Sequence, residues 1–308
     1  MRPRIVSLLP SATEIVCALG LRDRLVGVSH ECDHPRDVVG LPVVTAPQID
    51  TDGSSRQIHD AVTDLVRNGL SVYRIHTDLL RELAPDLIVT QDQCEVCAVS
   101  YRDVVDATRE ITGNDVEIVS LQPHRLRDVW RDVERVAESA GCADRGEALS
   151  GELADRVASL ERRTRRLDSP RVTCIEWLDP LMAAGNWVPD LVDAAGGSSD
   201  LVDAGAHSSW LEFGDLQRAA PEVLCAMPCG FDLERTRVEL SGILRDPRWE
   251  ALPAVRDGRV FAVDGNAYFN RPGPRLVESA EILAALLHPD SCRDLLPDAA
   301  CAMVARDR

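Results

Sequence analysis

Residues 129–141 read VWRDVERVAESAG, and residues 153–167 read LADRVASLERRTRRL. Apolar side chains recur every three or four positions in both, the period of a helix with one buried face. No run between Leu126 and Leu167 fits a strand, and Gly141 and Gly146 are the breaks the sequence offers. This helical stretch decides the fold because of what flanks it.

Before it, short apolar runs alternate with helical patterns. Strands are expected at Ile5–Leu9, Leu25–Val28, Leu87–Thr90 and Val116–Leu121. Helices are expected after Pro10, over Gln57–Arg67, Asp78–Leu83 and Tyr101–Ile111. Ser11 with Glu14 spells a capping box for the first helix. After it, strands restart at Arg171–Glu176, Val223–Met227 and Arg259–Val263, with a strong helix over Arg275–Leu287. Alternation of this kind predicts mostly parallel sheets with covered faces. The expectation is an α/β chain of two lobes, residues 1–122 and 169–308, joined by a helical bridge over 123–168. A helix packed along both lobes limits opening to small amplitudes, with ligand held in the crevice between them. The C-terminal DAACAMVARDR reads as a fraying tail.

Composition narrows the function. The formal net charge is −17, and every one of the 34 basic residues is arginine. An acidic surface argues against nucleic acid or an anionic membrane as partner. No stretch approaches the length of a membrane span. The opening MRPRIVSLLPSATEIV is too short in its apolar run, and too soon broken by Pro10, for a signal peptide, so the expected location is cytoplasmic. Lysine-dependent Schiff-base chemistry is excluded, and no nucleophile-elbow, phosphate-loop or dinucleotide motif is present. The expectation is a binding protein rather than an enzyme, and a monomer.

Four loops carry unusual chemistry, and each leaves the carboxyl end of an expected strand, where open α/β sheets bind ligands. SHECDH (29–34) follows LVGV. It spells the H-E-x-x-H of zinc proteases, but it lies on a strand-exit loop and Pro35 disfavours a helix there. QDQCEVC (91–97) follows DLIVT, MPCGF (227–231) follows VLCA, and DGNAYFNRPGPR (264–275) follows VFAV. Facing loops would set His30, Cys32, Cys94 and Cys97 against Cys229, Tyr268, Phe269 and Arg271. Thiolates and imidazole suit zinc, iron or an iron–sulfur cluster, or the metal of a chelate. Aromatics with a guanidinium suit a flat, partly anionic organic ligand. Cys17, Cys174 and Cys225 sit in apolar patterns and read as packing.

The chain resembles the class III periplasmic binding-protein family, in its vitamin B12 (cobalamin)-binding branch. The similarity is carried by RIVSLLPSATEIVCALGLRDRLVGVSHECDHP, APDLIVT, EWLDPLMAAGNWVPDLVDAAGG and GRVFAVDGNAYFNRPGPRLVESAEILAALLHP, in this order. The resemblance implies two Rossmann-like lobes bridged by one long helix, with a ligand cleft between them. It implies ligand contacts at Cys32, Asp33 and His34, at Gln91, Cys94 and Cys97, at Trp177, Leu181 and Trp210, at Cys229 and Phe231, and at Asn266, Tyr268, Phe269 and Arg271. It implies a cobalamin or related corrinoid ligand, and an ABC permease docked through Asp78 and Asp215. Two alternatives stand beside it: a cytoplasmic metal-binding protein using Cys32, Cys94, Cys97, Cys229 and His30, and a thiol-dependent enzyme of cobalamin metabolism.

Overall fold

The computed structural model describes residues 3–68, 71–91, 104–105, 116–297 and 300–304. Its contacts group the chain into two units. The first comprises Met1–Gly53, Gln57–Pro123 and Arg127–Leu153; the second comprises Ser54–Arg56, His124–Leu126 and Ala154–Arg308.

Four strands of the first unit, β1 (Ile5–Ser7), β2 (Leu25–Val28), β5 (Leu87–Gln91) and β6 (Glu117–Leu121), form a parallel sheet in the order β2-β1-β5-β6. Between them β3 (Thr45–Pro47) and β4 (Tyr73–Ile75) pair as a small antiparallel ribbon. Side chains of a strand alternate between faces, and both faces here are apolar. Ile5, Leu87 and Val89 pack with Ile15 and Val16 of the helix Pro10–Ala18, with Leu19 at its C-cap, and with Val133, Val136 and Ala137 of the helix Leu126–Ser139. Val6 and Ile88 belong to a second cluster with Val44, Leu80 and Val104.

The first helix does not use the expected capping box. Leu9 is the N-cap with no side-chain cap bond, and Pro10 opens the helix. Proline's fixed φ suits the first helical position, so the start moves ahead of Ser11.

The helical stretch is two helices, Leu126–Ser139 and Ala143–Thr164. Gly141 makes the break, with φ +72°. The N–H of Cys142 reaches Ala137 O at 2.8 Å and that of Gly141 reaches Glu138 O at 2.9 Å, a Schellman end. Gly146, the other expected break, lies inside the second helix. A Cβ there would stand 2.5 Å from the Ala137 Cβ, so the glycine permits close helix contact. The second helix belongs to the first unit through Leu153 and to the second unit from Ala154. There Arg156 pairs with Glu281 at 3.0 Å, on the helix Leu276–Leu287.

The second unit has β7 (Val172–Trp177), β8 (Met182–Ala183), β9 (Ser209–Trp210), β10 (Val223–Ala226), β11 (Val260–Val263) and β12 (Cys301–Met303), in the order β12-β11-β10-β7-β8-β9. The centre, β11-β10-β7, is parallel, while β12, β8 and β9 join antiparallel at the edges. The expected fraying tail is therefore corrected at Cys301–Met303. That segment pairs with β11 and covers backbone groups that an open edge would leave unpaired. Ile175, Leu224 and Val260 share a core with Leu216, Leu240 and Trp249. The thiols of Cys174 and Cys225 stand at paired positions on neighbouring strands and are buried, as their apolar setting predicts.

Among the described residues, no helix is long and apolar enough to cross a membrane.

Candidate functional site

In the first unit, the chain leaves β2 through a turn at His30–Glu31 and enters a 3-10 turn at Arg36–Val38. SHECDH is thus a loop and holds no zinc-protease helix. His30 is tied down at both ends. Its N–H donates to Thr45 Oγ1 at 3.1 Å, and its Nδ1 lies 2.7 Å from the same oxygen. The ring stands 5.3 Å from that of Tyr73. Burial, and then the neighbouring His76, hold the His30 imidazole below its ordinary pKa. Cys32 is 8% exposed and packs in the first unit's core, with Thr13 Oγ1 3.1 Å from its sulfur. A thiol in a polar stretch of sequence is here a core side chain, since the helix Pro10–Ala18 lies beneath the loop. Asp33 and His34 are exposed, and Gln91 is buried at the end of β5. Cys94 and Cys97 lie outside the described residues.

In the second unit, the carboxyl end of β7 and the loops after β10 and β11 are knitted together. Met227 N–H donates to Ile175 O at 2.8 Å and Cys229 N–H to Glu176 O at 3.2 Å, joining the loop after β10 to the carboxyl end of β7. Asn266 N–H donates to Phe231 O at 3.0 Å, and the Asn270 side-chain amide to Met227 O at 2.9 Å, joining the loops after β11 and β10. The contact is close because residue 265 is glycine: a Cβ there would meet Pro228 O at 2.4 Å. The structure thereby brings Trp177, Cys229, Phe231, Asn266, Tyr268, Phe269 and Arg271 onto one end of this sheet.

Their exposure sorts them. Phe231 and Phe269 are fully buried. The Phe231 ring packs edge-on to Trp177 at 5.5 Å, with the Arg235 guanidinium 3.7 Å from its centre. The Phe269 carbonyl accepts the Trp187 indole N–H at 2.9 Å. Neither phenylalanine offers a face to a ligand in this conformation, which corrects their expected role; their apolar bulk is worth more in the core. Leu181 is partly buried against the core, and Arg271 is buried with its Nη2 3.1 Å from Asn266 Oδ1. Trp177, Cys229, Asn266 and Tyr268 are half-buried, and Trp210 on β9 is 56% exposed. Trp177 donates its indole N–H to Ser55 O at 3.2 Å, and the neighbouring Asp179 pairs with Arg56.

Glu176 went unnoticed in the sequence. It precedes Trp177, the last residue of β7, and Ser208 Oγ donates to its carboxylate at 2.6 Å while accepting from Gly185 N–H at 3.1 Å. Burial pushes the carboxyl pKa up, against the pull of these donors. The signal available was an acid at a strand's carboxyl end, EWLDP, where a ligand loop begins.

Among the described residues, no group of three or more His, Cys, Asp or Glu side chains is placed to hold a metal ion. The two carboxylates expected at a permease differ in their surroundings. Asp78 is largely exposed and pairs with Arg81 at 2.6 Å. Asp215 accepts from Glu212 N–H at 2.7 Å as part of a capping box and pairs with Arg218.

Comparison with known proteins agrees with this fold. A family described as periplasmic binding protein matches residues 5–267. The sequence is 21% identical over 295 residues to the uncharacterized ABC transporter substrate-binding lipoprotein YvrC of Bacillus subtilis (strain 168), covering 94% of this chain and 82% of that protein. The periplasmic heme-binding protein RhuT from Roseiflexus sp. RS-1, in apo form, superposes with TM-score 0.69 at 23% identity, over 94% of this chain and 99% of that one. The periplasmic vitamin B12 binding protein BtuF of Vibrio cholerae superposes with TM-score 0.66 at 20% identity, over 93% and 97%.

These findings overturn the expected cytoplasmic location. The matched family is periplasmic and the curated relative is a lipoprotein, which point to a periplasmic or extracellular protein. The cytoplasmic reading rested on the lack of a leader ahead of β1, and a sequence that opens on its first strand says nothing about what precedes it. With its strand-end loops, two α/β units and a family match across most of its length, the chain belongs to the periplasmic binding protein family and is a solute-binding protein of that family.

Proposed function

We propose that this protein captures a flat metal chelate, cobalamin or a related corrinoid, and passes it unchanged to an ABC permease. The observation that carries the reading is Trp210. An indole left 56% exposed on an edge strand is costly to hydrate and offers a broad apolar face. Trp177 and Tyr268, half-buried in the same unit, add aromatic surface. Relatives of the same fold that are described as binding vitamin B12 or heme support a ligand of this shape. Asn266 and Cys229, half-buried in the same unit, add a polar group and a soft donor.

The test is a titration with cyanocobalamin followed by tryptophan fluorescence and visible absorbance, with hemin as comparator. Quenching that saturates near one equivalent is expected for the corrinoid. No change with either compound at high micromolar concentration contradicts the reading, and binding of hemin alone transfers it to a heme protein. Asp78 and Asp215 are the docking carboxylates on this reading. Asp78→Ala should bind the ligand normally yet fail to stimulate the permease's ATPase, and an unchanged stimulation would count against that role.

A further inference from the structure

Two exposed imidazoles outside the loops discussed above stand together in the second unit. His124 and His207 have ring centres 5.8 Å apart and planes at 83°. They are separated by 83 residues in sequence, so their meeting depends on how each backbone is fixed.

Both backbones are fixed well. Next to His124, Arg125 Nε donates to both carboxylate oxygens of Asp190, at 3.0 and 2.9 Å, and Leu126 N–H donates to Asp190 Oδ2 at 2.9 Å. The same carboxylate neutralises the one guanidinium adjacent to His124. On the other side, Gly205 N–H donates to Asn186 O at 2.9 Å and Asn186 N–H to Ala206 O at 2.6 Å. Gly205 has φ +88°, and a Cβ on it would meet the Arg125 side chain at 2.8 Å, so glycine at 205 is what lets the two segments approach. Beyond His207, Ser208 is anchored to Glu176. Exposed histidines on loops usually have no such support.

Imidazole is a ligand for zinc, nickel and copper. With metal–nitrogen bonds of about 2.0–2.1 Å, each ring centre stands roughly 3.2 Å from the ion. Centres 5.8 Å apart then subtend about 130° at a shared ion, and roughly 5.2 Å would give the tetrahedral angle. The rings now meet edge to face, and rotation about the side-chain bonds of two exposed residues is what turns a nitrogen of each towards a shared ion. We propose that His124 and His207 form a two-histidine site for a divalent transition-metal ion of the zinc type, with water in the remaining positions. Two protein ligands are fewer than a closed structural site uses, so the site is open and exchangeable. It uses none of the cysteines and does not depend on the identity of the chelate ligand.

Zinc chloride titrated into the chain, prepared without an affinity tag, tests this by calorimetry and by imidazole 1H–15N NMR. The expected result is one zinc per chain at micromolar affinity, with two imidazoles shifting together. His124→Ala and His207→Ala should each weaken binding about tenfold or more, and the double variant about as much as either single one, because each removes the same chelate. Both side chains are exposed, and circular dichroism checks that the fold is kept. The proposal is overturned if no stoichiometric zinc binds, or if either variant binds within about twofold of the parent.

Discussion

At the scale of single residues, position in the fold decides chemistry more than residue type does. Cys32, Cys174 and Cys225 are thiols that the fold uses as small apolar groups. Burial pushes the Cys174 thiol up to about 12, and Cys225 well above its ordinary value, so neither offers a thiolate near neutrality. Asp132 shows the same force acting on a carboxyl. It is 4% exposed on the helix Leu126–Ser139, and burial raises its pKa from 3.8 to about 6 despite the 2.9 Å bond from Arg135. The folded chain therefore keeps this proton to higher pH than the unfolded chain does. Stability from this group is greatest below pH 3.8, declines as pH rises towards about 6, and is level above that. The loss is on the order of 2–3 kcal/mol. Denaturation of Asp132→Asn across that range should lack the decline; a variant that keeps the parent's full slope would contradict the assignment. The sequence marked Cys174 and Cys225 as packing, but showed the burial of neither Cys32 nor Asp132. Cys32 sits in a polar loop, and only the packing of Thr13's helix under it makes it a core residue.

At the scale of elements, the legible parts were those whose local pattern agrees with their packing. Leu25–Val28 was read to the residue because a short apolar run, buried along most of its length, is the local pattern of a covered strand. The strands β3, β4, β8, β9 and β12 were not read. They run two or three residues each and are held by backbone pairing with a neighbour, which leaves no period in the side chains. Gly146 was legible as a glycine but not as a contact. Its lack of a Cβ allows the approach of Ala137 across the pair of helices, an arrangement known only once the helices have met. Gly146→Ala should therefore destabilise the protein by about 1–3 kcal/mol through overpacking, despite alanine's better helix propensity. Urea denaturation measures this, and a gain in stability would show that the helices part at little cost.

At the scale of the molecule, α/β alternation on either side of a helical stretch was enough for the architecture, and the order of motifs was enough for the family. The site was legible in part. The sequence located the strand-end loops, because ligand loops leave carboxyl ends of parallel strands. It could not separate side chains that face solvent, such as Trp210, from those that turn inward, such as Phe231 and Phe269. It also passed over Glu176, whose interest comes from Ser208, 32 residues away. The central claim is that exposed aromatic surface in the second unit receives a flat corrinoid. Its most direct measurement is calorimetric titration of cyanocobalamin into the parent protein and into Trp210→Ala, whose exposed side chain can be removed without opening the core. The account predicts one-to-one binding at micromolar affinity or tighter, weakened about tenfold or more by the substitution, a loss of ~1.4 kcal/mol. Equal affinity in the two proteins, or no heat of binding in the parent, would contradict it.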